Sequence, residues 1–187
     1  MPKNIPEDVE IQRQLTRIHI DLWKQNVVFH AKWWLLILLL ILMLAVWWRL
    51  ADKSKRKDIC LFAGLITVIA LGINEYGEEL TLFAYPVDVI PVFPPLSSVN
   101  LFALPVVYSV LYGYFNTWKS YIAAALIASA VLCFVIEPVL SFIGIYHLLN
   151  WKYYYSFPIY FLSATVTRFI VLKAKKIEIT ADKNSVK

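Results

Sequence analysis

Charge is what this chain lacks most. Only 17% of its residues are Asp, Glu, Lys or Arg, against about a quarter in a soluble domain, while 60% are hydrophobic and 16% aromatic. That balance, with long uncharged runs, excludes an ordinary soluble domain and places the chain among membrane proteins. Cysteine is nearly absent as well. Cys60 and Cys133 both fall inside apolar runs, where a disulfide is not expected, so both read as small packing residues. Histidine is limited to His19, His30 and His147, none with another His or a Cys nearby at ligand spacing, so no metal site is expected. G-x-S-x-G, Walker A, H-E-x-x-H and glycine-rich phosphate loops are all missing. No catalytic residue is assigned on this basis, and no cofactor can be named. The net charge of +5 does not point to nucleic acid, because the basic residues lie at the ends of apolar runs, as topology determinants do. A cleaved signal peptide is not expected, since the first apolar run begins at Ala31 and is followed by basic residues rather than a small-residue cleavage site.

What is present is a series of apolar runs, read as an all-α integral membrane protein of about five transmembrane helices. Residues 1–30 form an amphipathic N-terminal segment, 31–172 the transmembrane helical domain and 173–187 a polar cytoplasmic tail. In the first part, Ile11, Leu15, Ile18 and Leu22 recur at helical spacing while Arg13, Arg17, Asp21 and Lys24 take other faces. Such a helix lies in the headgroup plane or packs on the protein's own surface. The first span, residues 31–50, has Trp33 and Trp34 at one end and Trp47 and Trp48 at the other, the aromatic-belt pattern. Arg49, Lys53, Lys55, Arg56 and Lys57 then mark a cytoplasmic end.

The second span starts near Asp58. Its uninterrupted apolar run, Ile59 to Ile73, reaches about 22 Å at 1.5 Å per residue, short of the ~30 Å hydrocarbon core. Either Glu75, with or without Glu79, is carried into the outer part of the membrane, or the bilayer thins there; Glu79 shares a face with Glu75 and Glu78 lies close by. Residues 81–95 follow, with Pro86, Pro91, Pro94 and Pro95 in a stretch too apolar for a solvated loop. A short half-helix or folded lid is expected there, surrounded by protein. The third span covers residues 97–118 and the fourth 121–144, the latter rich in Ala and Ser for close helix approach. Glu137-Pro138 interrupts the fourth and predicts a kink. The fifth covers 153–172. Arg168, near its cytoplasmic end, is expected to snorkel. Twelve of the 18 Lys and Arg fall inside on this plan and six outside, which supports N-out, C-in.

Ionisable groups within spans default to functional candidates. Glu75 and Glu137 each reach about 24 Å above their helix starts, on helices running the same way. The candidate binding residues are Glu75, Glu78, Glu79, Asp88 and Glu137, with Trp151 and Tyr154 from the aromatic cluster after His147. Alternatives stand beside each: Glu137 could satisfy backbone freed by the kink or pair with Lys152, and the aromatics could form an interfacial belt.

Two stretches carry a resemblance. One is Ile73-Asn74-Glu75-Tyr76-Gly77 through Tyr85-Pro86-Val87-Asp88-Val89-Ile90-Pro91. The other is Glu137-Pro138 through Ile145-Tyr146, then Leu149-Asn150-Trp151-Lys152-Tyr153-Tyr154-Tyr155-Ser156-Phe157-Pro158. Together they resemble a family of small, uncharacterised multi-pass membrane proteins of endospore-forming Gram-positive bacteria, over about Trp23 to Lys173. The resemblance implies a bacterial inner (plasma) membrane protein and implies no activity.

Three functions are open from the sequence. The first is an outward-facing acidic pocket for a small molecule, lipid headgroup or ion. The second is a structural protein that scaffolds a partner. The third is a lipid-modifying membrane enzyme, for which carboxylates are present but no metal motif or nucleophile. Expected partners are the bilayer, and a second copy of the chain or another membrane protein.

Overall fold

Nearly every apolar run in the sequence becomes helix. The computed structural model describes residues 6–91 and 99–185, and it is 81% helical. In chain order the elements are α1 (Glu7–Asn26), α2 (Ala31–Leu50), α3 (Arg56–Glu79), β1 (Phe83–Ala84), α4 (Val99–Tyr114), α5 (Trp118–Val131), α6 (Glu137–Phe142), β2 (His147–Leu148) and α7 (Tyr153–Ser185). Four stretches are long and apolar enough to cross a membrane: Ala31–Leu50, Lys53–Glu79, Trp118–Phe142 and Tyr153–Glu178. A shorter apolar helix covers Phe102–Tyr114. The architecture is that of an all-α membrane protein.

Local chemistry sets the helix ends. Asp52 caps the turn before α3, accepting from the Ser54 hydroxyl at 2.7 Å and the Ser54 N–H at 2.9 Å. These bonds hold its carboxyl below the usual range. Thr117 caps α5 through its hydroxyl. Between α5 and α6, residues Leu132–Ile136 widen into a π-turn. The cause lies at Pro138, which has no N–H for the carbonyl of Phe134, so the helix opens just before it. The interruption expected at Glu137-Pro138 takes this form.

One face of α3 builds the core. Ile59, Phe62, Ile66, Ala70 and Asn74 are buried at helical spacing. They meet Leu104, Tyr108 and Tyr112 of α4, Tyr121, Ala125 and Ser129 of α5, and Tyr160, Ala164 and Val171 of α7, all buried. Phe62 stacks on Tyr112 with ring centroids 5.0 Å apart. Polar groups in this core are paired: Tyr108 Oη to Ser129 Oγ at 2.7 Å, and Tyr121 O–H to the Ala164 carbonyl at 3.1 Å. Helix α2 is more peripheral. It buries only Leu36 and is tied to α4 by Trp47 Nε1–H donating to Ser109 Oγ at 2.8 Å.

Arg168 corrects the sequence reading. It does not snorkel; it is 2% exposed. Its guanidinium donates from Nη1 to the Phe115 carbonyl and from Nη2 to the Asn116 carbonyl, both at 2.7 Å. Its centre stands 4.3 Å from the Tyr121 ring, with Trp118 and Tyr112 at 5.2 and 5.7 Å. The α4–α5 turn leaves helix-end carbonyls without backbone donors, and a planar cation supplies both at once.

The same end carries inter-helix ion pairs. Lys175 Nζ lies 2.5 Å from Asp58 Oδ2, and Lys57 pairs with Glu178. These pairs accompany α7 past Leu172, where a polar tail was expected to begin; the helix runs on to Ser185. Residues 186 and 187 lie outside the described part.

At the opposite end the proline-punctuated segment is folded, as a strand and bends rather than a half-helix through residue 91. Phe83 pairs with Leu148 and Ala84 with His147 in an antiparallel ladder. The N–H groups of Leu149 and Asn150 both donate to the Leu82 carbonyl. Phe83, Tyr85, Val87 and Asp88 are buried. Expectations for residues 92–98, including Pro94 and Pro95, lie outside the described residues.

Candidate functional site

Helix α1 has no buried side chain. Ile11, Leu15, Ile18 and Leu22 are each more than half exposed, as suits a helix lying on a membrane surface, and of these Leu15 and Leu22 also border spaces between α1 and the body. A neighbouring flank, at Gln12, Thr16, His19 and Trp23, turns toward the body. Trp23 Nε1–H donates to the Asp88 carbonyl at 2.8 Å, and His19 Nε2 lies 3.2 Å from Asp88 Oδ2. From the start of α2, Trp33 Nε1–H donates to the Val89 carbonyl at 3.1 Å. Two side chains of α1 and one of α2 thus hold the 86–91 segment.

Between α1 and the end of α3 lies a cleft of about 440 Å³. Glu75, Glu78, Glu79 and Asp88 all line it, with Gln12, Leu15, Thr16 and His19 from α1 and Phe83 and Tyr85 from the segment after α3. Four of the seven residues picked from sequence therefore share one cavity. Glu78 sits within electrostatic reach of both Asp88 and Glu75, and the Tyr85 N–H hydrogen-bonds its carboxylate. Asp88 is 3% exposed and Glu79 is exposed, so the charge runs from the cavity floor to its mouth. The cationic residues of α1, Arg13, Arg17 and Lys24, are not among the lining residues. His19 is the one basic side chain among the described residues that lines the cleft. Among the described residues, no three of His, Cys, Asp and Glu converge where they could hold a metal ion.

Glu137 does not join this cleft, although its depth suggested it. It is 1% exposed and accepts hydrogen bonds from two hydroxyls of α7: Ser156 Oγ to Oε2 at 3.1 Å, and the Tyr160 phenol to Oε1. Trp151 Nε1–H donates to Ser156 Oγ at 3.0 Å, completing a chain from Trp151 through Ser156 to Glu137. Lys152 is not part of it; its Nζ lies 5.9 Å over the Tyr154 ring. Beside this network is a cavity of about 20 Å³, room for one water, lined by Asn74, Phe83, Tyr146, Trp151, Ser156 and Tyr160 among others. Burial pushes the Tyr146 phenol well above its usual range, so it stays a neutral hydroxyl. Tyr154 belongs to neither site. It is 52% exposed and stands edge to face with Tyr155.

The sequence candidates thus separate into an acidic cleft under α1, a buried Glu137–Ser156–Trp151 network and an exposed aromatic rim. His19, Tyr85, Asn74, Ser156 and Tyr160 were not picked out. Ser156 and Tyr160 sit one turn apart on α7, and that polar spacing inside an apolar helix was the available signal. Compared with known protein families, curated proteins and solved structures, the chain shows no match.

Proposed function

We propose that the protein binds an organic cation, an ammonium group presented by a soluble amine or by a lipid headgroup, in the acidic cleft under α1. The observation that carries this reading is the grouping of Glu75, Glu78, Glu79 and Asp88 in one cavity of about 440 Å³ whose single basic lining side chain, among the described residues, is His19. The carboxylates are spread along the cleft rather than focused on a point, which suits a cation larger than a bare metal ion. Phe83 and Tyr85 add ring surface on which an ammonium group gains further attraction. The neighbouring apolar stripe of α1 favours a site at headgroup level.

The reading goes with five spans in an N-out, C-in arrangement, α4 being the short one. Support comes from the separation of charge. Lys55, Lys57, Lys175 and Arg168 gather at one end of the bundle, where Lys55 Nζ also bonds the Gly113 carbonyl and Asn116. The acidic cleft lies at the other end. By the positive-inside rule the basic end is cytoplasmic and the cleft faces outward. The sequence resemblance favours a bacterial inner membrane as its location.

Thermal shift tests the binding. Spermidine and ethanolamine-headgroup lipid, added separately to the purified chain, distinguish a soluble from a membrane source. At least one is expected to raise the melting temperature, and E78Q/E79Q is expected to weaken that ligand about tenfold or more. If neither raises it, or if the double variant responds like the wild type, the cleft is not a cation site.

A further inference from the structure

Among the described residues Glu137 is the most enclosed carboxyl, and the cleft reading does not use it. It lies in a stretch long and apolar enough to cross a membrane. Its two hydrogen-bond donors, Ser156 and Tyr160, are neutral. The titratable groups around it are Cys133 of the π-turn, Tyr146 of the outer connection, Tyr153 and Tyr160 of α7, and Tyr85 of the outer segment. Not one is basic, and no ion pair reaches Glu137 among the described residues. A buried carboxylate normally requires a compensating positive charge. The adjoining cavity of about 20 Å³ admits one water and excludes a hydrated metal ion or an organic cation. A proton carried on that single water is a positive charge that fits such a space.

The small cavity also borders the acidic cleft. Phe83 lines both the small cavity and the acidic cleft. Tyr85, which lines the cleft, donates its O–H to Asn74 Oδ1 at 3.0 Å, and Asn74 lines the cavity. On the inner side, Ser156 lines the cavity and donates to Glu137 Oε2.

We propose that Glu137 is a reversible proton-binding site, supplied from the outer cleft past Phe83 through the water-sized cavity and the Ser156 hydroxyl. A hydronium in the cavity gives a proton to Ser156 Oγ as Ser156 gives its own proton to Glu137 Oε2. Water and a carboxylic acid remain, and one positive charge has moved onto the carboxylate. Protonated Glu137 then donates back to Ser156 Oγ, whose hydrogen turns toward the cavity water. Tyr160 positions the carboxyl from its other oxygen and passes no proton. Phe83 is the plug that sets how often water crosses between the two spaces. The proposal stands whether or not the cleft binds an amine.

Infrared spectroscopy of the full chain in phospholipid vesicles tests it, with external pH stepped between about 4 and 9. This range spans carboxyl and histidine titrations. The expected signal is the carbonyl stretch of one protonated carboxyl that grows at low pH, shifts in D₂O and is missing from E137Q. S156A should slow its H/D exchange at least about tenfold, F83A should accelerate it, and Y160F should move its frequency without slowing exchange. A band absent throughout the range, a band that never changes with pH, or exchange in S156A as fast as wild type overturns the proposal. Should E137Q not fold, the Y160F frequency shift assigns the band. A band indifferent to Y160F belongs to another carboxyl, and that result also overturns the proposal.

Discussion

Replacing Arg168 by Met is expected to cost about 3 kcal/mol of stability, the largest loss at any single position outside the apolar core. The figure follows from two part-buried carbonyls, those of Phe115 and Asn116, each losing a hydrogen bond from a charged donor. Met fills the volume and stacks on Tyr121, so the loss isolates the hydrogen bonds from the packing. R168K is expected to fall between, because an ammonium reaches one carbonyl well and cannot lie flat over the Tyr121 ring. Unfolding in a graded denaturing detergent, followed by helical circular dichroism, measures all three proteins. Equal midpoints for R168M and wild type would show that the guanidinium is not the clasp between α7 and the α4–α5 turn.

The second large effect is expected at Gly77. A methyl added there would lie 2.0 Å from Phe83 Cζ and 2.4 Å from Cε1, far inside contact distance. The ring has little room to retreat, since Tyr146, Tyr85 and Trp151 surround it with centroids 5.6 to 5.9 Å away. G77A should therefore cost about 1–3 kcal/mol through overpacking, and it should displace Phe83 from its place between the cleft and the Glu137 cavity. The double variant G77A/F83A removes the clash and is expected to recover part of the stability while leaving the two spaces connected. If G77A melts at the wild-type temperature and exchanges Glu137 no faster, Phe83 is not a fixed plug.

Much of this architecture was legible in the chain. Long aliphatic runs bounded by tryptophan mark helices that cross a membrane, and the recurrence of Ile11, Leu15, Ile18 and Leu22 describes α1 and its exposed stripe. The grouping of Glu75, Glu78, Glu79 and Asp88 follows from one helix end and the turn after it, so local spacing was enough. Three features depended on distant partners and were not legible. Arg168 turns inward because a turn some fifty residues earlier leaves two carbonyls open. The pairing of Phe83–Ala84 with His147–Leu148 involves two residues on each side, too few for alternation to appear. Glu137 matches Glu75 in depth along its helix, but depth says nothing of direction. Ser156 and Tyr160 draw it toward α7, and Phe83 and Asn74 stand between it and the cleft.

Photo-crosslinking with a diazirine-bearing primary amine tests the central claim most directly. The account predicts adducts on two peptides distant in sequence, one from α1 around Gln12 to His19 and one spanning Glu75 to Asp88. Both should be suppressed by excess unlabelled amine and lost in E75Q/E78Q/E79Q. Adducts confined to other parts of the chain, or adducts that persist unchanged in the triple variant, would contradict it.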